Sequence, residues 1–452
     1  VGAKTTQEIV RIPVCDLQYS QLPPELVSHI NNLAMGYLGM TLAGSVLPNG
    51  QIVTKYAKAQ GAAPAAGVSG GGFRTSAEQA ALVNATLAHA TELEDVSFPD
   101  GLYSLAIFAP AFALGEQLKL PGQRVIEGFV VGYEVASSLG TACADAASKG
   151  WMLSAVFGSV GVAATAAKLL GLNLEQTANA LSIGASQGTG IVRQSGTGAH
   201  TFEAGCAARN GICAGSLARA GLSGNTTILE GPGGMCDLIA SLPNFEAPVG
   251  SRVAQVGIRK YPCCGIMQRN IDGMLDLIKE NKLSAEEVES VVVEVNHTFS
   301  MYMKFPDPLT GAQTRFSIEH AMAGCFLEPK VFLGTFTDEK ANDPEFKAFR
   351  RKVKMVLHPE WEHGYFPQPS PITVHTKDGS SIRKDCVFAR GDAGHPLTDQ
   401  DVMDKFMGCV DYAGVLSHEQ AGRAAKMVQA LDDVKDVSEL VNIFSFPDKL
   451  AK

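Results

Sequence analysis

A mostly helical chain carrying one inserted α+β domain is the fold class this sequence predicts, and three observations predict it. From Leu22 to about Asn244 apolar residues recur at threes and fours, and from Pro396 onward they do so again through LTDQDVMDKFMGCV and SHEQAGRAAKMVQAL. Strand-like alternation is confined to the region between. It occurs at Ser290–Thr298 (SVVVEVNHT) and at Ile372–Phe388, where ITVHT, the turn Lys377-Asp378-Gly379 and SSIRKDCVF read as a hairpin. A length of 452 residues is also too great for a single core. The simplest architecture is an all-helical body formed by residues 1–250 and 398–452, with a smaller α+β lid domain inserted at 251–397.

The individual elements follow from their end signals. Ser76 and Gln79 have capping-box spacing ahead of AALVNATLAHATEL, Pro121 suits a first helical turn, and Asn173 with Gln176 opens LEQTANALSIGA. At least six helices are expected between Leu22 and Asn244. The run DEKAND (338–343) and the Gly/Pro-rich stretches near Gly231 and Ser370 read as surface connections. The 47 glycines are scattered through apolar segments, a distribution that favours tight helix contacts over a flexible tract.

Composition excludes several function classes. A net charge of -9 with no arginine-rich strip argues against nucleic acid as a partner. The uncharged apolar run Leu105–Leu114 contains Pro110 and is too short to span a bilayer, so no membrane is expected. The opening VGAKTTQEIVRIPV shows no secretory pattern, and ten scattered cysteines read as small buried hydrophobes in a reducing, cytoplasmic compartment. Adjacent Cys263 and Cys264 have no partner at zinc-ligand spacing. No GxGxxG after a strand, GxxxxGK[ST], GxSxG, HExxH or DxDxDG occurs, and Gly188-Thr189-Gly190 lies in a helical region, so neither a cofactor nor a metal is expected.

Four constellations could carry chemistry. The run Ser195–Ala220 (SGTGAHTFEAGCAARNGICAGSLARA) sets His200 and Glu203 at the mouth of a helix of small residues, whose neighbours could approach closely around a polar pair; a half-exposed first turn is the plainer alternative. In HATELEDVSFPD, Glu92, Glu94 and Asp95 crowd a helix C-terminus, where like charges raise one another's pKa, or form a solvated acidic turn. Arg259 and Lys260 precede Tyr261-Pro262, as carboxylate-binding cations or as a basic surface turn. Tyr103 is a candidate proton donor or a half-buried ring.

Together these segments resemble the MmgE/PrpD family of dehydratases, decarboxylases and epimerases. His89–Asp95 is similar to its H-A-x-D-F-D-D segment, GCAARNG (205–211) to its G-x-A-A-R-N-G, Tyr261–Cys264 to its Y-P-x-C turn, and Phe316-Ser317-Ile318 to its F-S-I motif. The resemblance implies a helical domain built from both chain ends, an α+β lid, a homodimer without metal or nucleotide, and proton chemistry on small carboxylic acids. It also implies a remade site. Leu102-Tyr103 stands where the family has His-Pro, Met152 where it has a second histidine, His200 where its T-K-P-x-H segment has lysine, Glu203 where that segment has histidine, and Arg259 where a lysine precedes the turn.

The expected function is that of a cofactor-independent lyase, a dehydratase or decarboxylase, acting by proton abstraction alpha to a carbonyl or carboxylate of a small organic acid. His200 is the expected base, titrating somewhat above ~6.5 through its pairing with Glu203. Tyr103 or Asp95 is the expected donor, Glu92 belongs to the catalytic cluster, and Arg259 and Lys260 bind the carboxylate. Met152, Leu102 and Glu203 line a pocket suited to a substrate less polar than methylcitrate. An isomerase or epimerase using the same proton, and a ligand-binding member without catalysis, are the alternatives.

Overall fold

The computed structural model describes residues 14–97, 101–241, 252–365 and 368–450. They form two compact units. One comprises the described residues of 1–193, 199–256 and 398–452, the other 194–198 and 257–397.

The larger unit is built mainly of helices, ten α-helices between Pro24 and Ile239 among the described residues, followed by Asp399–Ala413, His418–Gln429 and Ser438–Ser445; it is not all-helical as expected, since Ala66–Gly67 and Arg74–Thr75 form a short antiparallel pair. Their ends obey the local signals. The Ser76 side chain accepts from the Gln79 amide ahead of Ala77–His89, and Asn173 with Gln176 forms a full reciprocal capping box ahead of Leu174–Ala185. Pro121 stands one position earlier than expected, as the cap before Gly122–Ala142.

Scattered glycines set how closely these helices pack. A Cβ at Gly132 would stand 2.0 Å from Thr165 Oγ1, and one at Gly161 would stand 2.6 Å from the Gly132 carbonyl, so Gly122–Ala142 and Gly158–Leu170 meet almost backbone to backbone. The C-terminal helix Asp399–Ala413 lies along Pro24–Ser45, where a Cβ at Gly39 would stand 3.1 Å from the Phe406 ring. Both ends of the chain therefore share one core. The stretch long and apolar enough to cross a membrane is Leu153–Leu170, longer than the Leu105–Leu114 run singled out from sequence. It is almost wholly buried inside the unit and is a core helix.

The smaller unit contains a four-stranded sheet in the order Val353–Leu357, Val288–Val295, Ile372–Thr376, Ser381–Lys384. The first pair is parallel and the others are antiparallel. Val288, Val291, Val293 and Val295 face the core, and the expected hairpin turns at Gly379 with φ 90°. Three details differ from the sequence reading. The central strand stops at Val295 because the Asn296 side chain accepts from the Phe299 amide and starts the helix His297–Tyr302. The expected loop DEKAND is instead a short helix, Asp338–Asn342, capped by Thr337. The strand Val353–Leu357 was not anticipated, since VKMVL lacks clean alternation.

Buried His320 ties this unit together. One ring nitrogen, Nε2, lies 2.9 Å from the Thr335 carbonyl, and Nδ1 lies 3.4 Å from Nη1 of Arg350. Burial, reinforced by the Arg350 charge, pushes its pKa down to about 4. An unfolded chain takes up this proton near ~6.5, so the neutral ring's contribution is complete above that value and lost as pH falls through about 4. Urea unfolding followed through this unit should show about 2 kcal/mol less stability at pH 5 than at pH 7.5 from this residue. His320→Gln should remove that component of the pH dependence.

Candidate functional site

The site forms where Gly198–Arg219 crosses Ala77–His89. A Cβ at Gly205 would stand 2.3 Å from Thr86 Oγ1 and 2.4 Å from the Leu82 carbonyl, so only glycine allows this approach. Farther along the same helix, Cβ atoms at Gly211 and Gly215 would lie 2.3 Å and 2.7 Å from the side chains of Val162 and Ala166. The small-residue pattern thus does what the sequence suggested. The crossing places His200, in the first turn of one helix, against the end of the other.

Beyond His89 the chain does not run out into solvent. Glu92, Glu94 and Asp95 are 3%, 0% and 4% exposed, so the solvated acidic turn is excluded. Thr91 Oγ1 donates to the Ala88 carbonyl and accepts from the Leu93 amide. Glu92 closes the helix in the left-handed region, φ 52°, a conformation that costs a side-chain-bearing residue about 1 kcal/mol or more. Its carboxylate meets two imidazoles: Oε1 is 3.2 Å from His200 Nε2 and 3.7 Å from His89 Nε2. His89 Nε2 lies 3.7 Å from Glu94 Oε1 as well, and the two histidine rings are 4.6 Å apart.

On its other side His200 faces Glu203, with Nδ1 3.7 Å from Oε2. Burial alone would lower the imidazole pKa, but hydrogen bonding and charge from Glu203 and Glu92 outweigh it and push the value up to about 9. The direction agrees with the sequence reading and the size changes its meaning. A shift in this direction favours the imidazolium form of His200, flanked by the carboxyl groups of Glu92 and Glu203. His89, Glu92 and His200 bring one ligand atom each within 4.8 Å of one another, a spacing that a metal ion and a shared proton both satisfy. A metal ion would have to displace the proton that the raised pKa of His200 favours; with that proton in place, the 3.2 Å contact reads as a hydrogen bond to Glu92.

Glu203 has a second duty. Its Oε1 accepts from the Ile191 amide at 2.9 Å, while the Gly190 carbonyl accepts from the Met152 amide at 3.0 Å. Met152 is buried beside Gly190, at whose position a Cβ would stand 3.2 Å from that of Met152. Glu203 therefore links His200 to the segment that holds Met152. Asp95 accepts a short hydrogen bond from Ser104 Oγ. Tyr103 is fully buried at the N-cap of Ser104–Leu118, with its ring against Gly101 and edge-on to Tyr133 at 5.9 Å; Leu102 beside it is half-buried.

Arg259 and Lys260 belong to the other unit. Arg259 is buried and donates from Nη1 to the Cys263 carbonyl at 3.2 Å, within its own turn, whereas Lys260 is half-buried. Tyr261 is held by Gln268 and Asp272. The ten cysteines are all free thiols. His89 is the site residue the sequence reading did not single out. Its signal was present, since it precedes Glu92 by one helical turn.

Comparison with known proteins bears on the same residues. The MmgE/PrpD N-terminal domain matches residues 13–248 and the MmgE/PrpD C-terminal domain matches 261–433. The chain belongs to the MmgE/PrpD family. Among its relatives are a cis-aconitate decarboxylase of Mus musculus, 24% identical over 95% of this chain and 91% of that one, and one of Homo sapiens, 24% identical over 98% and 95%. A third, from Aspergillus terreus, is 26% identical over 84% of each chain.

The geometry of the helix crossing makes a sharp demand on Gly205. Gly205→Ala should cost about 1–3 kcal/mol, because the methyl group meets a backbone carbonyl that cannot rotate away. Thermal unfolding should show the loss. The histidine resonance titrating near pH 9 in the parent should shift toward ordinary histidine values as His200 withdraws from Glu92.

Proposed function

We propose that this protein is a lyase of the decarboxylase or dehydratase type acting on a small organic acid, with the His200–Glu92 pair as its proton-transfer centre. One observation carries the reading: the buried imidazole of His200 lies 3.2 Å from the buried carboxyl group of Glu92, with its pKa raised. In a decarboxylation, the bond to one carboxylate carbon breaks and its electron pair stays on the remaining acid. Carbon dioxide leaves, and His200 delivers its proton to carbon, later regaining one from solvent. In a dehydration, the Glu92 carboxylate takes the α-proton and the imidazolium protonates the departing hydroxyl. Either way the resting protonation state makes His200 the acid, reversing the base role expected from sequence.

The first compound to test is cis-aconitate, the substrate that names the relatives. Met152 and Leu102 stand where the family pattern has basic groups, which favours a substrate with fewer carboxylates than methylcitrate or cis-aconitate, each of which carries three, so a dicarboxylic acid is the second compound to test. Incubation with cis-aconitate should release carbon dioxide and yield a product lighter by that mass; a product of unchanged mass would move the reading to isomerisation. His200→Gln should lower kcat by about 100-fold or more. With His200 as the acid, kcat/KM should hold at neutral pH and fall as pH rises through about 9. A rate that instead climbs across that range would return His200 to the role of base. Dialysis against a chelator should leave the rate unchanged, in keeping with a metal-free reaction.

We propose in addition that the protein is a homodimer. Phe202, Cys206, Arg209 and Cys213 form a half-buried stripe on the outward face of Gly198–Arg219, continued by Leu217 at 39% exposure, and Ile191 is 54% exposed. A second copy of the chain would cover this face. Sedimentation at micromolar concentration should show twice the chain mass.

A further inference from the structure

The C-terminal helix Asp399–Ala413 sends one lysine into the site loop. Lys405 is 5% exposed, and its Nζ donates to the Leu93 carbonyl at 2.6 Å, a contact between residues 312 positions apart in sequence. Glycine makes room for it. The Cβ position of Gly36, in the intervening helix Pro24–Ser45, lies 3.7 Å from Lys405 Nζ and 3.9 Å from its Cε. A side chain larger than a methyl group there would obstruct the lysine's path.

Leu93 is the residue between Glu92 and Glu94, and its carbonyl belongs to the Leu93–Glu94 peptide, one peptide beyond the left-handed residue Glu92. A side chain bearing a Cβ stays in that conformation only where its surroundings over-determine it. On the amino-terminal side Glu92 is held by its own amide, which donates to the His89 carbonyl at 3.1 Å, and by the Thr91 hydroxyl. On the carboxyl-terminal side the Leu93 amide donates to Thr91 Oγ1, and Lys405 adds the hold on the Leu93 carbonyl. An ammonium also suits a loop that buries three carboxylates, where an uncharged donor would leave more of their charge unbalanced.

We infer that Lys405 is a positioning residue for the proton-transfer pair, fixing the Leu93 peptide so that the Glu92 carboxylate stays within reach of His200. This inference rests on the reading of His200 and Glu92 as the proton-transfer pair. The experiment therefore includes a readout that needs no substrate. In the full chain labelled with 13C at histidine Cε1, the His200 titration midpoint reports its contact with Glu92; among the described residues Glu203 and His89 are further ionisable groups in contact with it.

Lys405→Met should lower the His200 midpoint by one unit or more as Glu92 moves off, and should cut kcat for cis-aconitate at least about 10-fold while KM changes less than about 2-fold. Lys405→Arg should restore both. A midpoint that rises in Lys405→Met would mean that the lysine acts on His200 only as a repelling charge, and an unchanged midpoint would mean that it does not position the pair at all; either overturns the inference. If Lys405→Met does not give a cooperative thermal transition, Lys405→Gln, which keeps a neutral donor, is read by the same criteria. Should the parent protein leave cis-aconitate unchanged, the substrate assignment fails, and the histidine titration still decides the role of Lys405.

Discussion

The close crossing at Gly205 is the constraint on which the rest of this site depends. With a Cβ at that position the helix Gly198–Arg219 would have to lift off the Leu82 carbonyl, and His200, one and a half turns away, would lift with it. The 3.2 Å contact to Glu92 would then open. The consequence is electrostatic as well as geometric. An imidazole buried without its carboxylates would be neutral at physiological pH, because desolvation acts alone. The helix contact therefore sets the charge of the site through the distance that it imposes.

That charge would be costly elsewhere in the protein. Glu92, Glu94 and Asp95 lie within four consecutive positions and are all removed from water, which a chain tolerates only where cations or donors answer them. His200 answers from one helix, Ser104 from the start of another, and Lys405 reaches the same loop through the Leu93 carbonyl. The left-handed backbone at Glu92 belongs to the same arrangement. It turns the loop sharply enough for a residue just past a helix end to point back at His89 and His200, both at helix termini. Strain at one residue is thus compensated by contacts from three separate helices.

Much of this was legible in the sequence, and the parts that were not have a common cause. Helical periodicity, the Asn173–Gln176 box and the Asp378-Gly379 turn are local signals, and the elements they mark are present where expected. The pairing of His200 with Glu203 was also local, one helical turn apart. The strand Val353–Leu357 was missed because its place beside Val288–Val295 is a parallel pairing between residues more than fifty positions apart, with no hairpin to announce it. His89 and Lys405 were passed over for a related reason. Each is an ordinary residue on its own helix and becomes significant only through what the fold places against it. The acidic run could be read as a site or as a solvated turn, and only burial decides between them.

The replacement at position 200 can be understood in these terms. Where the family pattern has a lysine, this chain has a residue that is ordinarily neutral at physiological pH, and the exchange looks on paper like the loss of a positive charge. The structure returns that charge by other means. Glu92 on one side and Glu203 on the other raise the imidazole pKa to about 9, which favours a cation at this position. The two solutions nevertheless differ in what they can do. A lysine ammonium, with an ordinary pKa near ~10.4, keeps its proton well beyond pH 9, whereas an imidazolium poised lower gives its proton up more readily and does so from a rigid ring aimed by two fixed contacts. A position remade in this way exchanges a fixed ammonium for a proton donor that is more easily deprotonated.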